Sequence, residues 1–381
     1  MSSVRGGIDS GSFLGEASGQ TTRSSSHSFN FNRCTAEVDG QSGGKWKAMK
    51  KFLNEPSTAV DDYVAGLVGA HREILEWDCT NRVLQRREAP PFPKVGLVGG
   101  GGSGCEPTHT GFVGYGMLDA AAPGQIFTSP VPNQIVAATR RANAGSGVLH
   151  IIKNFTGEVM NFGMAQEILY FEDIQVAQVV VNDDVSIPDD GETAGRRGLG
   201  ATVLVEKIAG AAAEEGRELS EVLAVAEKVI ARSGTFAVGL SSCTPPARGK
   251  PVYELAETDM DLGIGISGEP GRERVPMANA REIARLMVNE VLSDLAPKDG
   301  ADLLMLVNGM GATPHHELYL LAGELTAAAE ARGACITRQL VGNFVTSLDQ
   351  TGAAVTFLEL DQELKDLWDA PVHTAALRWG R

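Results

Sequence analysis

Basic charge is in short supply. The chain carries 33 Lys and Arg against 48 Asp and Glu, a formal net charge of −15 at pH 7. Phosphate backbones and anionic lipid are held by clustered cations, so neither nucleic acid nor a membrane surface is an expected partner. Cysteine is also sparse. Cys34, Cys79, Cys105, Cys243 and Cys335 are scattered, odd in number and form no CxxC pair. That spacing argues against a disulfide framework and against a structural zinc site, and it fits a reducing, cytoplasmic setting. The seven histidines show no metal-ligand spacing. No apolar run approaches the roughly 18 residues of a membrane-spanning helix. No glycine cluster is followed by Lys-Ser or Lys-Thr, so a Walker nucleotide loop is missing.

What is present is a globular composition, 43% hydrophobic and 21% charged over 381 residues, enough for two domains with their own cores. Residues 1–48 stand apart. GGIDSGSFLGEASGQTTRSSSHSFN is rich in Ser and Gly without an apolar period, which predicts disorder. It lacks the apolar core of a secretory signal. The segment reads as a leader or an overlong start, with Met49 of MKKFLNE as the natural first residue; a regulatory tail is the alternative.

From Met49 onward, β-branched runs alternate with amphipathic stretches. Strands are expected at 94–98, 147–153, 174–181, 235–240, 302–307, 335–340 and 353–360. Helices are expected at 57–71, 133–144, 194–215, 219–233, 279–292 and 314–332. This alternation predicts two α/β domains, residues 49–233 and 234–381, each a mixed or parallel sheet covered by helices.

Three segments carry chemistry. Gly99-Gly100-Gly101-Gly102-Ser103-Gly104-Cys105-Glu106-Pro107 follows the strand KVGLV. Side-chain-free residues there let backbone N–H groups approach an oxygen-rich ligand, or simply make a turn. A dinucleotide site on Gly99, Gly101 and Gly104 needs an acidic residue ending the next strand, and GMLDAAAPG around Asp119 does not look like a strand end. Ile151-Ile152-Lys153-Asn154-Phe155-Thr156-Gly157-Glu158 ends an apolar run in polar groups. At the carboxyl end of a strand these would face a ligand crevice, with Lys153 offsetting negative charge and Glu158 accepting a proton. An ordinary surface ion pair is the alternative. Gly263-Ile264-Gly265-Ile266-Ser267-Gly268-Glu269-Pro270 suggests close backbone packing beside a ligand, or a tight strand exit. Thr193-Ala194-Gly195-Arg196-Arg197-Gly198, after the acidic stretch 183–192, is expected to open a helix with acidic residues at its N-terminus. His109 is near enough in sequence to reach the glycine site. His315 and His316 read as surface or capping residues, and His373 as structural.

In order and spacing, GGGGSGCEP, GQIFTSP, IIKNFTGE, TAGRRG, GIGISGEPG, NGMGATP and WDAPVHT resemble the substrate-binding K subunit of dihydroxyacetone kinases over residues 49–381. The resemblance implies two α/β domains, a homodimer, and a triose pocket formed by Gly102, Ser103, Gly104, the residue at 105, Lys153 and the carboxylate at 158. It implies that this chain binds no cofactor, with ATP or ADP and magnesium on a separate L-type partner. It also implies a histidine at 105 for proton transfer, an aspartate at 158 as base, and a histidine at 267 that captures the ketone as a hemiaminal. Cys105, Glu158 and Ser267 occupy those positions here. Glu158 keeps the carboxylate one methylene further out. Ser267 is an unactivated hydroxyl, which is not expected to capture a ketone stably. Cys105 could serve as a thiolate if oriented N–H groups lowered its pKa, or as a small filler.

Three readings follow. The chain is a kinase substrate subunit holding a small ketose or polyol without a covalent link, or a non-catalytic paralogue acting as co-regulator. The third is a different enzyme on the same scaffold, with Cys105 as nucleophile.

Overall fold

The computed structural model describes residues 50–188 and 194–381. The expected disorder of 1–48 and the acidic stretch 189–193 lie outside them. After helix α1 (Ala59–Ala70), strands β1 (Leu75–Asp78) and β2 (Val83–Arg86) form an antiparallel hairpin. Next come β3 (Gly96–Ser103), β4 (Gly114–Tyr115), β5 (Ala120–Ile126), α2 (Pro132–Ala142), β6 (Val148–Lys153), α3 (Thr156–Tyr170) and β7 (Val176–Val181). The first sheet has the order β1-β2-β5-β3-β6-β7, with β5, β3, β6 and β7 parallel. All six residues of β6 (VLHIIK) are buried, as expected of a parallel strand covered on both faces.

Helices α4 (Ala201–Glu214) and α5 (Leu219–Ala231) lead to the second sheet. Its strands are β8 (Ser233–Gly239), β9 (Asp259–Leu262), β10 (Glu273–Pro276), β11 (Asp302–Gly309), β12 (Cys335–Gly342) and β13 (Gly352–Glu359), in the order β10-β9-β8-β13-β11-β12. Only β11 and β12 run parallel; the other pairs are antiparallel. Helices α6 (Ala280–Leu295) and α7 (His315–Glu330) cover it. The chain ends with α8 (Gln362–Asp369), β14 (Val372–Thr374) and β15 (Arg378–Trp379). β14 pairs with β4, so the last residues close on the first half. Mixed sheets flanked by helices are the expected class. The described residues contain no helix long and apolar enough to cross a membrane.

Every expected strand and helix forms, but several readings need correction. The glycine run is strand and not loop: β3 extends to Ser103. The stretch after Asp119 is also strand, β5, and Asp119 stands before its start. There the carboxylate accepts hydrogen bonds from Lys94 Nζ (2.7 Å) and Arg86 Nη1 (3.0 Å), a buried ion network rather than a ribose contact. α4 begins at Ala201, not 194, and has no acidic residue in its first turn. Its free N–H groups are served from a distance: Asp183 accepts from Leu199 (2.7 Å) and Ala201 (2.8 Å). α3 was not expected, because its outward face carries Met160, Met164, Ile168 and Tyr170 and the sequence shows little amphipathic contrast.

α4 is buried along Ala201–Ala213, charged residues included. Lys207 donates to the Leu367 carbonyl (2.7 Å), and burial brings its pKa down to about 7. An unfolded lysine holds its proton up to about pH 10.4, so between pH 7 and 10 the unfolded chain binds more protons and stability rises with pH. Lys207→Met is expected to flatten that rise in melting temperature measured from pH 7 to 9; an unchanged slope would show that Lys207 does not cause it.

Candidate active site

The parallel strands β3 and β6 end side by side, and the groups just beyond them converge on the glycines of β3. Lys153 is the last residue of β6 and only 2% exposed; Glu158 lies in the first turn of α3 and is 6% exposed. A methyl at Gly101 would collide with Lys153 Nζ and lie 3.3 Å from Glu158 Oε1 and 3.4 Å from His109 Nε2. A methyl at Gly102 would lie 2.7 Å from Thr128 N. The run is glycine because three polar side chains and a neighbouring turn pack on its backbone. Glu158 is held at both oxygens: Oε1 accepts from Gly102 N–H (3.2 Å) and Oε2 from Ser129 Oγ (2.7 Å). An exposed ion pair at Lys153 and Glu158 is thereby replaced by a buried cluster.

Not every expected donor is free for a ligand. Ser103 Oγ donates to Gly124 O (2.7 Å), and Gly104 N–H goes to the Glu106 carboxylate (2.9 and 3.0 Å). The segment 104–106 is clamped by the second half of the chain, where Thr346 N–H reaches Cys105 O (3.1 Å) and Leu348 N–H reaches Gly104 O (2.7 Å). Cys105 is 1% exposed with Sγ 3.3 Å from Ile266 O, next to Ser267 in the chain. Burial drives the thiol pKa up; the Lys153 charge opposes the rise, and the neighbouring carboxylates add to it. Cys105 packs against the 263–270 segment, where burial disfavours the thiolate that a nucleophile would need. Ser267 N–H donates to Glu269 Oε2 (2.9 Å), and no base engages its hydroxyl among the bonds of the described residues.

His109 is part of the cluster. Its Nε2 lies 2.6 Å from Lys153 Nζ and its Nδ1 2.5 Å from Glu206 Oε1 on α4. Sequence reading placed His109 near the site but passed over Glu206, 97 positions away inside an alanine-rich helix. An acidic residue inside the aliphatic run VLVEKIAG was the available signal. His315 and His316 are exposed at the start of α7, and His373 lies in β14, away from this cluster.

A separate cavity of about 240 Å³ opens between α6 and α7, lined mainly by Val238, Leu240, Ile283, Met287, Leu318 and Leu321. Its lining has one carboxylate, Glu317, and no cation, so it suits a polyol less well than the cluster over Gly101.

The Dak1 domain model matches residues 65–376. The chain belongs to the Dak1 domain family. It is 45% identical to the dihydroxyacetone-binding subunit DhaK of PTS-dependent dihydroxyacetone kinase 1 from Listeria innocua, across 86% of this chain and all of that one. Among solved Dak1-like structures, the dihydroxyacetone kinase operon co-activator DhaQ superposes with a TM-score of 0.78 at 32% identity, covering 85% of this chain and 98% of the co-activator. The dihydroxyacetone kinase of C. freundii gives 0.79 at 31% identity, over 86% of this chain but only 60% of the kinase.

Proposed function

We propose that this chain is the substrate-binding, K-type subunit of a dihydroxyacetone kinase-like system. It presents a hydroxyl of a small ketose or polyol to a separate, nucleotide-bearing L-type partner and holds the ligand without a hemiaminal. One observation carries this reading: Lys153 and Glu158 are both buried and converge on Gly101 and Gly102 at the carboxyl ends of β3 and β6. In this arrangement Glu158 takes the proton of the ligand hydroxyl as its oxygen bonds to phosphorus, and the leaving group stays with the partner. Lys153 stabilises the alkoxide charge that develops.

Magnesium and nucleotide are assigned to the partner. The sequence has no Gly-Lys-Ser/Thr loop with which to cradle a nucleotide's phosphates. A homodimer belongs to the same proposal. Met160, Met164 and Ile168 on α3 and Val180 on β7, an edge strand of the first sheet, are exposed apolar residues that a second copy would cover.

A ligand-reporting co-regulator is the second reading. It is favoured by Cys105 and Ser267, neither of which supplies an acid or base, and by the likeness to a co-activator. Purified chain with ATP and dihydroxyacetone or a four-carbon ketose is expected to be inactive alone, at twice the chain mass by light scattering. Adding an L-type subunit should start phosphoryl transfer. Turnover by the chain alone overturns the division of labour; binding without turnover under any partner favours the co-regulator.

A further inference from the structure

The cluster over Gly101 contains two ionisable side chains for which the proposed reaction has no use, and both are wholly buried. His109 is 4% exposed and Glu206 is fully buried. They form a line that ends on Lys153: Glu206 Oε1 to His109 Nδ1, 2.5 Å, then His109 Nε2 to Lys153 Nζ, 2.6 Å. An ammonium has three donors and no acceptor, so the imidazole nitrogen facing it must accept and carry no proton. The ring proton then sits on Nδ1 and is donated to Glu206. This assignment holds whether Glu206 is ionised or neutral, since either form offers an acceptor oxygen at that distance.

The surroundings agree. Burial and the Lys153 charge hold the His109 pKa well below its ordinary value, so the ring stays neutral. Burial pushes the Glu206 carboxyl well up, opposed by Lys153. Glu206 Oε2 has no hydrogen-bond partner among the described residues, so Glu206 is engaged only through His109. The titratable groups that face Lys153 are Glu206 from α4, Glu158 from α3, and Cys105, Glu106 and His109 from the segment after β3. Gly99 makes room for the line, because a methyl there would lie 2.7 Å from His109 Nδ1 and 3.2 Å from Glu206 Oε1. Gly101 makes room for its end at Lys153.

We propose that His109 and Glu206 are positioning residues for Lys153. A neutral imidazole, locked by Glu206 with its proton on Nδ1, takes one N–H of the ammonium and leaves the others directed toward the Glu158 side of β3. Removing the acceptor at 206 leaves the Nδ1 proton buried without a partner, so the ring is no longer held against Lys153 and the ammonium loses the acceptor that fixes it. The proposal rests on the ligand site being the one argued above, but its first readout needs no ligand.

That readout is the ¹⁵N spectrum of the His109 ring in the full-length protein, assigned by its loss in His109→Gln. The expected result is a protonated Nδ1 and an unprotonated Nε2, unchanged from pH 5.5 to 8.5. A protonated Nε2, or titration within that range, overturns the proposal whether or not the Glu206 variants fold. The second readout is dihydroxyacetone affinity by calorimetry. Glu206→Gln keeps an acceptor oxygen and should bind within about threefold of the parent with the same tautomer. Glu206→Leu should shift the His109 ring signals and weaken binding about ten- to a hundredfold, the range of one charge-assisted hydrogen bond. Equal binding by the Leu variant with shifted ring signals would also sink the idea. A parent that shows the Nδ1 proton but binds no triose would leave the relay standing and overturn the assigned function.

Discussion

Glu158→Gln, assayed with an L-type partner, is expected to lower turnover about 10²- to 10⁴-fold, the usual contribution of a general base. The substitution is nearly isosteric. An amide oxygen can still accept from Gly102 N–H, now at 3.2 Å from Oε1, so the turn at the start of α3 should survive. What it cannot do is take a proton from a hydroxyl. The bond from Ser129 Oγ, 2.7 Å to Oε2, becomes a contact with an NH₂ group, and Ser129 can turn to accept from it. Ligand affinity should therefore fall much less than turnover. Glu158→Asp shortens the arm by one methylene toward the length that the family resemblance implies. It should retain more turnover than Gln, although a misplacement near 1 Å can itself cost about a hundredfold. Turnover by the Gln variant within threefold of the parent would remove Glu158 from the chemistry.

The other large effect is a gain. With [2-¹³C]dihydroxyacetone, the parent protein should bind the ligand with its central carbon still a ketone or hydrate, exchanging rapidly. Ser267→His should move that carbon to the tetrahedral region, as an imidazole nitrogen adds to the carbonyl carbon and a proton goes to the carbonyl oxygen. Ser267 is only half-buried, and it follows Ile266, whose carbonyl lies 3.3 Å from Cys105 Sγ. Cys105 differs. At 1% exposure inside an apolar cluster, a histidine there would overpack, at about 1–3 kcal/mol. The single variant is thus the informative one, and the pair Cys105→His with Ser267→His should melt lower. A tetrahedral carbon in the parent that is distinct from the hydrate would refute non-covalent binding. Its absence in Ser267→His, with binding retained, would mean that the segment 263–270 does not face the ligand carbonyl.

Much of this molecule could be read from residue order alone, for a local reason. β6, β7, β11 and β13 are runs of β-branched and aliphatic residues flanked by polar breaks. α6 carries its own capping box, Asn279 with Glu282, so its beginning is written in adjacent residues. The ordered glycine, lysine and carboxylate segments were enough to indicate the family and to mark Lys153 and Glu158. Elements whose reason is distant were misread. GGGGS has the composition of a turn, yet it is a strand because Lys153, His109 and Thr128 press on it from other parts of the chain. α3 hides its period because its outer face is apolar as well as its inner one.

The sequence by itself determined the class of fold, the family and the residue types at the site, because side-chain chemistry and periodicity are properties of neighbouring residues. Tertiary structure decided their states. Burial against residues as distant as Ile266 and Thr346 raises the pKa of the Cys105 thiol. Glu206 belongs to the site because α4 carries it, 97 residues on, to a ring nitrogen of His109. Charge, tautomer and reactivity depend on burial and on partners distant in sequence, and folding alone sets both.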